Sequence, residues 1–274
     1  MLNTEAPDRK RYFGTASARS WRAGLQVVVG FAVACLMLAC ASPGIPPVTE
    51  PDVARAGAEG EQRTVALLGG SGMVGGYLLQ EALARGYAVR ALARSPAKLE
   101  PFAGRITIVP GDARDPAAVA SLVHGSDLVI SALGPVKGDG DAARTINTTA
   151  TNTVLQAMQD AGISRYIVVS GAAVVMPGDK RDLLGWWIRT LAQVGLSDAL
   201  RDKQAEYASL AASNVDWMLV RCPLIDPESF LQPPMVSTQT PPAFRVRAGE
   251  VAWFIFEQVD SRQFVREGPF LGSR

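Results

Sequence analysis

The stretch 67-LLGGSGMVGGYLLQEAL-83 decides the fold. An apolar run stops at five glycines within eight residues, interrupted only by Ser71, Met73 and Val74. Before the glycines, 64-TVALL-68 reads as a buried strand; after them the apolar residues recur at helical spacing. Gly69, Gly72 and Gly75 therefore sit in a strand-to-helix turn with the spacing GxxGxxG. The first glycine allows a tight turn, the second lets a pyrophosphate approach the backbone, and the third lets helix and strand pack closely. The start of the helix offers N–H groups and a partial positive charge to phosphates. A strand before and a helix after are the context this motif requires. The expected phosphate-binding set is Gly69, Ser71, Gly72, Met73, Val74 and Gly75.

Outward from this turn, β-branched runs alternate with helical patterns. The runs lie at 64–68, 87–93, 106–109, 127–133, 165–170 and 216–221. Their near-continuous apolar character suits strands covered on both faces, as in a parallel sheet. Helical patterns lie near 73–85, 115–123, 142–161, 181–194, 198–212 and 248–258. This alternation predicts right-handed βαβ units and a Rossmann-like, doubly wound parallel α/β sheet, in a single domain over 63–274.

The end of the second strand refines the dinucleotide. An NAD site usually carries Asp or Glu there for the ribose 2′-hydroxyl. This chain has Arg94-Ser95 instead. A guanidinium presents a fork of donors that suits a 2′-phosphate, so NADP(H) is favoured over NAD(H). The alternative is a solvated arginine at a strand end. Arg90 falls on the alternate side of the strand and is the weaker candidate.

Composition excludes several classes. The chain has 274 residues, 48% hydrophobic and 19% charged, with net charge +1. That near-neutral balance gives no footprint for nucleic acid. One histidine, His124, argues against a His-based metal site or a Ser-His-Asp triad; it reads as a solvated helix-end residue. Cys35, Cys40 and Cys222 do not make a disulfide framework.

The first sixty residues read as a separate region. Residues 1–22 are basic, and 23-AGLQVVVGFAVACLMLACA-41 carries no charge. Segment 1–41 is the pattern of a signal peptide or membrane anchor, and 42–62 of a Pro/Gly/Ala-rich linker. The stretch Met37-Leu-Ala-Cys40 resembles a bacterial lipobox, with Met37 where Leu is usual. The expectation is a membrane-associated lipoprotein joined through Cys40 and facing the periplasm; an uncleaved anchor and a cytoplasmic chain are the alternatives.

The domain resembles the atypical short-chain dehydrogenase/reductase group with NAD(P)H-binding, NmrA-like and biliverdin-reductase-B-like members. The resemblance rests on GGSGMVG at 69–75, VRALARSPAKL at 89–99, PGDARD at 110–115 and DLVISALGP at 127–135. It continues in AGISRYIVVSG at 161–171, SNVDWMLVRCPLI at 213–225 and RAGEVAWFI at 247–255. It implies that Asp112 and Ala113 lie by the adenine, that Ala132, Leu133 and Gly134 pass the cofactor ribose, and that Ser170 lies near the nicotinamide.

One departure bears on mechanism. Most short-chain dehydrogenases use a Tyr-x-x-x-Lys pair for proton transfer, and no tyrosine of this chain has Lys four residues on. Ala199 stands four residues before Lys203. Lys203 is the candidate to reach the site and bind a ribose hydroxyl or substrate, with a solvated lysine paired to Glu206 or Asp202 as the alternative. Ser170 is the hydroxyl placed to orient a carbonyl or relay a proton.

The remaining features have mostly structural readings. Trp186-Trp187 could form a substrate wall, core packing or a membrane-facing patch. Arg221 reads as a buried strand-end residue, Cys222 as an inert thiol and 226–244 as a substrate loop without a recognisable code. Two functions follow: an NADPH-dependent reductase of a small carbonyl, quinone or flavin-like acceptor, or a non-catalytic dinucleotide-binding redox sensor or assembly factor.

Overall fold

A computed structural model describes residues 62–134, 140–180, 182–195 and 197–274. The expected signal or anchor and nearly all of the linker lie outside the described residues, as do Pro135 and Arg181.

Among the described residues, ten strands and six α-helices follow one another. The first half holds β1 (Thr64–Leu68), α1 (Met73–Ala84), β2 (Ala88–Ala93), β3 (Thr107–Pro110), α2 (Pro116–Val123) and β4 (Leu128–Ser131). The second holds α3 (Ile146–Ala161), β5 (Arg165–Gly171), α4 (Leu183–Gly195), α5 (Ser197–Ala212) and β6 (Asp216–Cys222). Then come β7 (Leu224–Asp226), β8 (Met235–Ser237), β9 (Arg245–Arg247), α6 (Ala248–Glu257) and β10 (Phe270–Gly272).

Eight strands form one sheet in the order β3-β2-β1-β4-β5-β6-β10-β8. All neighbours pair in parallel except β10 with β8. This is the doubly wound α/β architecture that the alternation predicts. β7 and β9 make a separate parallel pair. Three-residue strands bury too little to announce themselves in an apolar pattern, and β7 to β10 went unpredicted for that reason.

The sheet separates two cores. Leu67, Val89, Ile130, Ile167 and Val220 point to the side covered by α1 and α6. Leu68, Leu92, Val129, Val168 and Leu219 point to the other side, where α2, α3 and α5 pack. Leu67, Leu68 and Ile130 are at most 1% exposed, and each such side chain contributes about 1.5–3 kcal/mol by leaving water.

Helix ends are fixed locally. Asp115 accepts from the Ala117 N–H at 2.9 Å and Pro116 opens α2. Gly162, with φ of 69°, ends α3 in the left-handed region.

Candidate functional site

The strand order reverses between β1 and β4, and their carboxyl ends leave in different directions. Open α/β sheets bind ligands at such a switch point. The glycine turn follows β1 and meets Ala132 just after β4. Gly69 has φ of +81°, and a Cβ on it would lie 2.6 Å from the Ala132 carbonyl oxygen. The Ala132 N–H donates to the Leu68 carbonyl at 3.0 Å.

Each glycine has a distinct requirement. A Cβ on Gly75 would lie 2.0 Å from the Gly69 oxygen, so α1 can pack this close only without a side chain. A Cβ on Gly72 would meet the same oxygen at 3.2 Å and nothing else within 4 Å. Packing explains Gly69 and Gly75 fully, whereas the space beyond Gly72 is open to a ligand. Gly72 caps α1 with no side-chain hydrogen bond, and no acidic residue stands in the first turn. Ser71 and Met73 are half-buried at the turn, and Val74 is packed into the core. The turn thus fits a pyrophosphate by backbone geometry and by electrostatics.

At the ends of β2 and β3, Arg94 is exposed and Asp112 half-buried. Asp112 accepts from Arg114 Nε at 2.8 Å and NH2 at 2.7 Å. The Arg114 hydrogen bond holds the Asp112 carboxyl down at about 2, and the Arg94 charge adds to the same effect. Arg94, Asp112 and Arg114 therefore form one charged corner beside the glycine turn. Ala113, between Asp112 and Arg114, is buried. Arg90 is engaged elsewhere, donating to the Leu122 and Ser121 carbonyls at the end of α2.

Beyond β4 and β5 lies a second group. Ala132, Leu133 and Gly134 are half-buried. Ser170 is 5% exposed, and its Oγ has no hydrogen-bond partner among the described residues. A buried hydroxyl without a partner costs about 1–3 kcal/mol, so an unmet Ser170 Oγ at a strand end fits a site that completes its bonding with a ligand.

Lys203 makes the expected pair with Glu206, but it is not solvated. Its side chain is 15% exposed. Nζ donates to Leu133 O at 3.3 Å, Val169 O at 3.2 Å and Glu206 Oε2 at 2.9 Å. α5 thus sends one ammonium beneath the exits of β4 and β5.

A buried polar chain continues from there, and the sequence reading missed it. Thr151 Oγ1 donates to Glu206 Oε1 at 3.1 Å and lies 3.4 Å from the Tyr166 hydroxyl. Tyr166 also bonds to Ser131 at the end of β4. Burial pushes both the Glu206 carboxyl and the Tyr166 hydroxyl up. Next to Lys203, Asp202 accepts from the Asn147 and Thr148 N–H groups and from the Asn147 side chain, capping α3. Asn147 Oδ1 is a second buried atom without a partner. The signal was present: Asn147 and Thr151 occupy the same helical stripe as the core residues Val154 and Met158, where an apolar side chain is usual.

Other expected features sort plainly. Arg221 is 1% exposed, donates to Gly268 O at 2.7 Å and Asp179 at 2.8 Å, and stacks on Phe270. Cys222 is buried, and burial pushes its thiol up to about 12. Trp186 and Trp187 are 53% and 52% exposed, which removes the core-packing alternative. The segment 226–244 is not a plain loop, because it contributes β8 to the sheet edge. His124 caps the end of α2 and lines a cleft of about 610 Å³ with Tyr87, Arg90 and Arg105, at the opposite end of the strands from the glycine turn. No His/Cys/Asp/Glu cluster among the described residues could hold a metal.

Comparisons with known proteins agree with this geometry. A family model described as NAD(P)H-binding matches residues 69–262. Cinnamoyl-CoA reductase 1 of Oryza sativa subsp. japonica is 30% identical over 124 residues, covering 42% of this chain and 36% of that protein. The 3-beta-hydroxysteroid dehydrogenase of Mycolicibacterium neoaurum is 32% identical over 123 residues, covering 42% and 33%. The chain thus spans about a third of the length of these relatives. The solved structure of ChuY, an anaerobillin reductase from Escherichia coli O157:H7, superposes with a TM-score of 0.64 at 23% identity, covering 77% of this chain and 97% of that one. That likeness shows the fold. The chain belongs to the NAD(P)H-binding family of atypical short-chain dehydrogenase/reductase proteins.

Proposed function

We propose that the chain is an NADPH-dependent reductase of a small carbonyl, quinone or flavin-like acceptor, working without a Tyr-x-x-x-Lys pair. The observation that carries this reading is the unpartnered, buried Ser170 hydroxyl at the end of β5, one residue from the carbonyl that Lys203 holds. The backbone N–H groups of Met73 and Val74 bind the pyrophosphate, and Arg94 binds the 2′-phosphate. Asp112 and Ala113 border the adenine, and Ala132 to Gly134 the ribose. A bound reduced nicotinamide supplies a hydride. Ser170 orients the acceptor oxygen by a hydrogen bond and passes it a proton from water. Lys203 fixes the two strand exits between which the acceptor sits, so rate comes from positioning more than from acid–base chemistry.

A second reading has its own support. All three donors of Lys203 are committed to protein acceptors, and Ala199 stands where a catalytic tyrosine would. That arrangement suits a dinucleotide-binding redox sensor or assembly factor that performs no turnover. NADPH oxidation by the purified protein with quinones, flavins and aldehydes separates the two. Turnover with any acceptor supports the reductase; tight NADPH binding with none supports the sensor.

The N-terminal segment belongs to the same proposal. Its uncharged run and Cys40 suit a lipid-linked domain on the periplasmic face, and loss of membrane attachment in Cys40→Ser is the test. NADPH is chiefly a cytoplasmic cofactor, so such a domain would be exported with cofactor bound or act as the non-catalytic form.

A further inference from the structure

Helix α4 turns an apolar stripe outward. Leu183, Trp186, Trp187, Thr190 and Val194 fall at i, i+3, i+4, i+7 and i+11 and so share one face, roughly 100° wide. Leu183 is 81% exposed, Trp186 53%, Trp187 52% and Val194 65%. The Thr190 hydroxyl donates back to the Trp186 carbonyl at 2.9 Å, so the one polar member bonds within the helix. The two indoles meet edge to face, with centroids 5.0 Å apart.

The outward orientation is fixed from behind. Arg189 NH1 donates to the Ala173 carbonyl at 2.9 Å on the inner side, and Gly185 is buried there. Asp182 Oδ1 accepts from the Gly185 N–H at 2.9 Å and from Thr240 Oγ1 at 2.8 Å, which ties the helix start to the 235–244 segment. A helix held this way does not roll its stripe inward. An exposed apolar face of this kind marks a contact surface.

We propose that the α4 stripe docks on the lipid surface of the membrane that carries the chain's own N-terminal segment. This rests on the membrane attachment proposed above and is independent of catalysis. The chain preceding Gln62 favours lipid as the occupant. Its uncharged run ends at residue 41, leaving 21 linker residues, 42–62, before the domain. Twenty-one residues cannot span more than about 70 Å. A domain of this size is about 45 Å across. An attached domain is therefore confined within that reach of the bilayer. Tethering raises the local concentration to the millimolar range, where weak interfacial partitioning suffices. Tryptophan suits that interface because its ring is apolar and its N–H can face the headgroups. α4 follows the carboxyl end of β5, so docking brings the rim of the candidate site to the lipid.

The test uses the chain extracted from membranes, carrying Trp21→Phe so that a retained N-terminal segment adds no emission, reconstituted in phosphatidylcholine vesicles with brominated acyl chains. Flotation reads attachment, and tryptophan emission reads docking. Four tryptophans then remain, two on the stripe, so emission should fall about twofold relative to unbrominated vesicles if the stripe enters by about 5–10 Å. Leu183→Glu/Val194→Glu should abolish that quenching while the chain still floats and still binds NADPH. A chain that floats without quenching overturns docking and leaves attachment standing. A chain that does not float overturns both. Concentration-dependent dimers that shield the stripe, without quenching, assign it to a second copy and overturn the lipid reading.

Discussion

Lys203 Nζ lies 2.9 Å from Glu206 Oε2, and this ion pair sits beside the Leu133 and Val169 carbonyls near the exits of β4 and β5. Glu206 is 1% exposed and has Thr151 as its second partner. With Tyr166 and Ser131 the pair closes a polar ring under the exit of β4. The ring holds Leu133 from one side and Ser131 from the other, and between them is Ala132, which touches Gly69.

Removing one member should therefore loosen the site and the fold together. Lys203→Met leaves a buried carboxylate unpaired, a change that costs about 3–5 kcal/mol. Burial raises the Glu206 pKa in the folded state, so its contribution is fully present below the unfolded value of about 4.3 and is lost as pH rises through the folded one. Lys203→Met should thus be hurt more at pH 8 than at pH 5, as read by urea unfolding. Adding Glu206→Gln should remove that difference. Equal stability of Lys203→Met and the parent at pH 8 would sink the idea.

The glycine turn separates packing from binding. Gly75→Ala forces a methyl to within 2.0 Å of the Gly69 oxygen and should cost several kcal/mol, about 3 or more as other severe overpacking does. Gly72→Ala meets that oxygen only at 3.2 Å, so its stability should change by about 1 kcal/mol or less. Its affinity for NADPH should nevertheless fall at least about tenfold, because a methyl stands where phosphate approaches. Thermal unfolding and fluorescence titration read the two effects. Equal affinity in Gly72→Ala and the parent would refute the assigned phosphate position.

These contrasts show where the sequence was informative. Long apolar strands such as 64–68 and 165–171, and a glycine turn between strand and helix, carry strong signals, so the parallel sheet and the tight strand-to-helix turn were legible. The burial of Lys203 was not, because a lysine beside Glu206 on a helix looks the same whether the pair faces water or the core. Tyr166 and Thr151 were equally silent: each is one polar residue in an apolar stripe, and only the fold brings them to Glu206. Ser170 was reached through family resemblance, and its unmet hydroxyl is visible only in three dimensions.

Acid should expose the charged corner at β3. Asp112 is held down at about 2, chiefly by Arg114. A depressed carboxyl contributes stability that is present above the unfolded value of about 3.9 and lost as pH falls toward 2. Asp112→Asn should flatten the stability profile between about pH 4 and pH 2, and should change it little at pH 7 beyond loss of the exposed pair. Salt should shrink the effect in the parent, since the corner is partly solvated. An unchanged acid limb in Asp112→Asn would show that other carboxylates dominate.

Arg94 tests the dinucleotide itself. It lies just past β2, exposed, close enough to Asp112 to lower its pKa, and so on the side where an adenosine ribose would sit. A charge-assisted bond to a 2′-phosphate is worth about 1.5–3 kcal/mol, or about 10–100-fold in affinity. Arg94→Ala should weaken NADPH by that factor and leave NADH within about twofold, because NADH offers no phosphate there. Arg94→Lys should recover only part, since an ammonium lacks the planar fork. Paired titrations of both cofactors against the three proteins decide it: equal losses for NADPH and NADH would mean that Arg94 shapes the pocket without reading the phosphate.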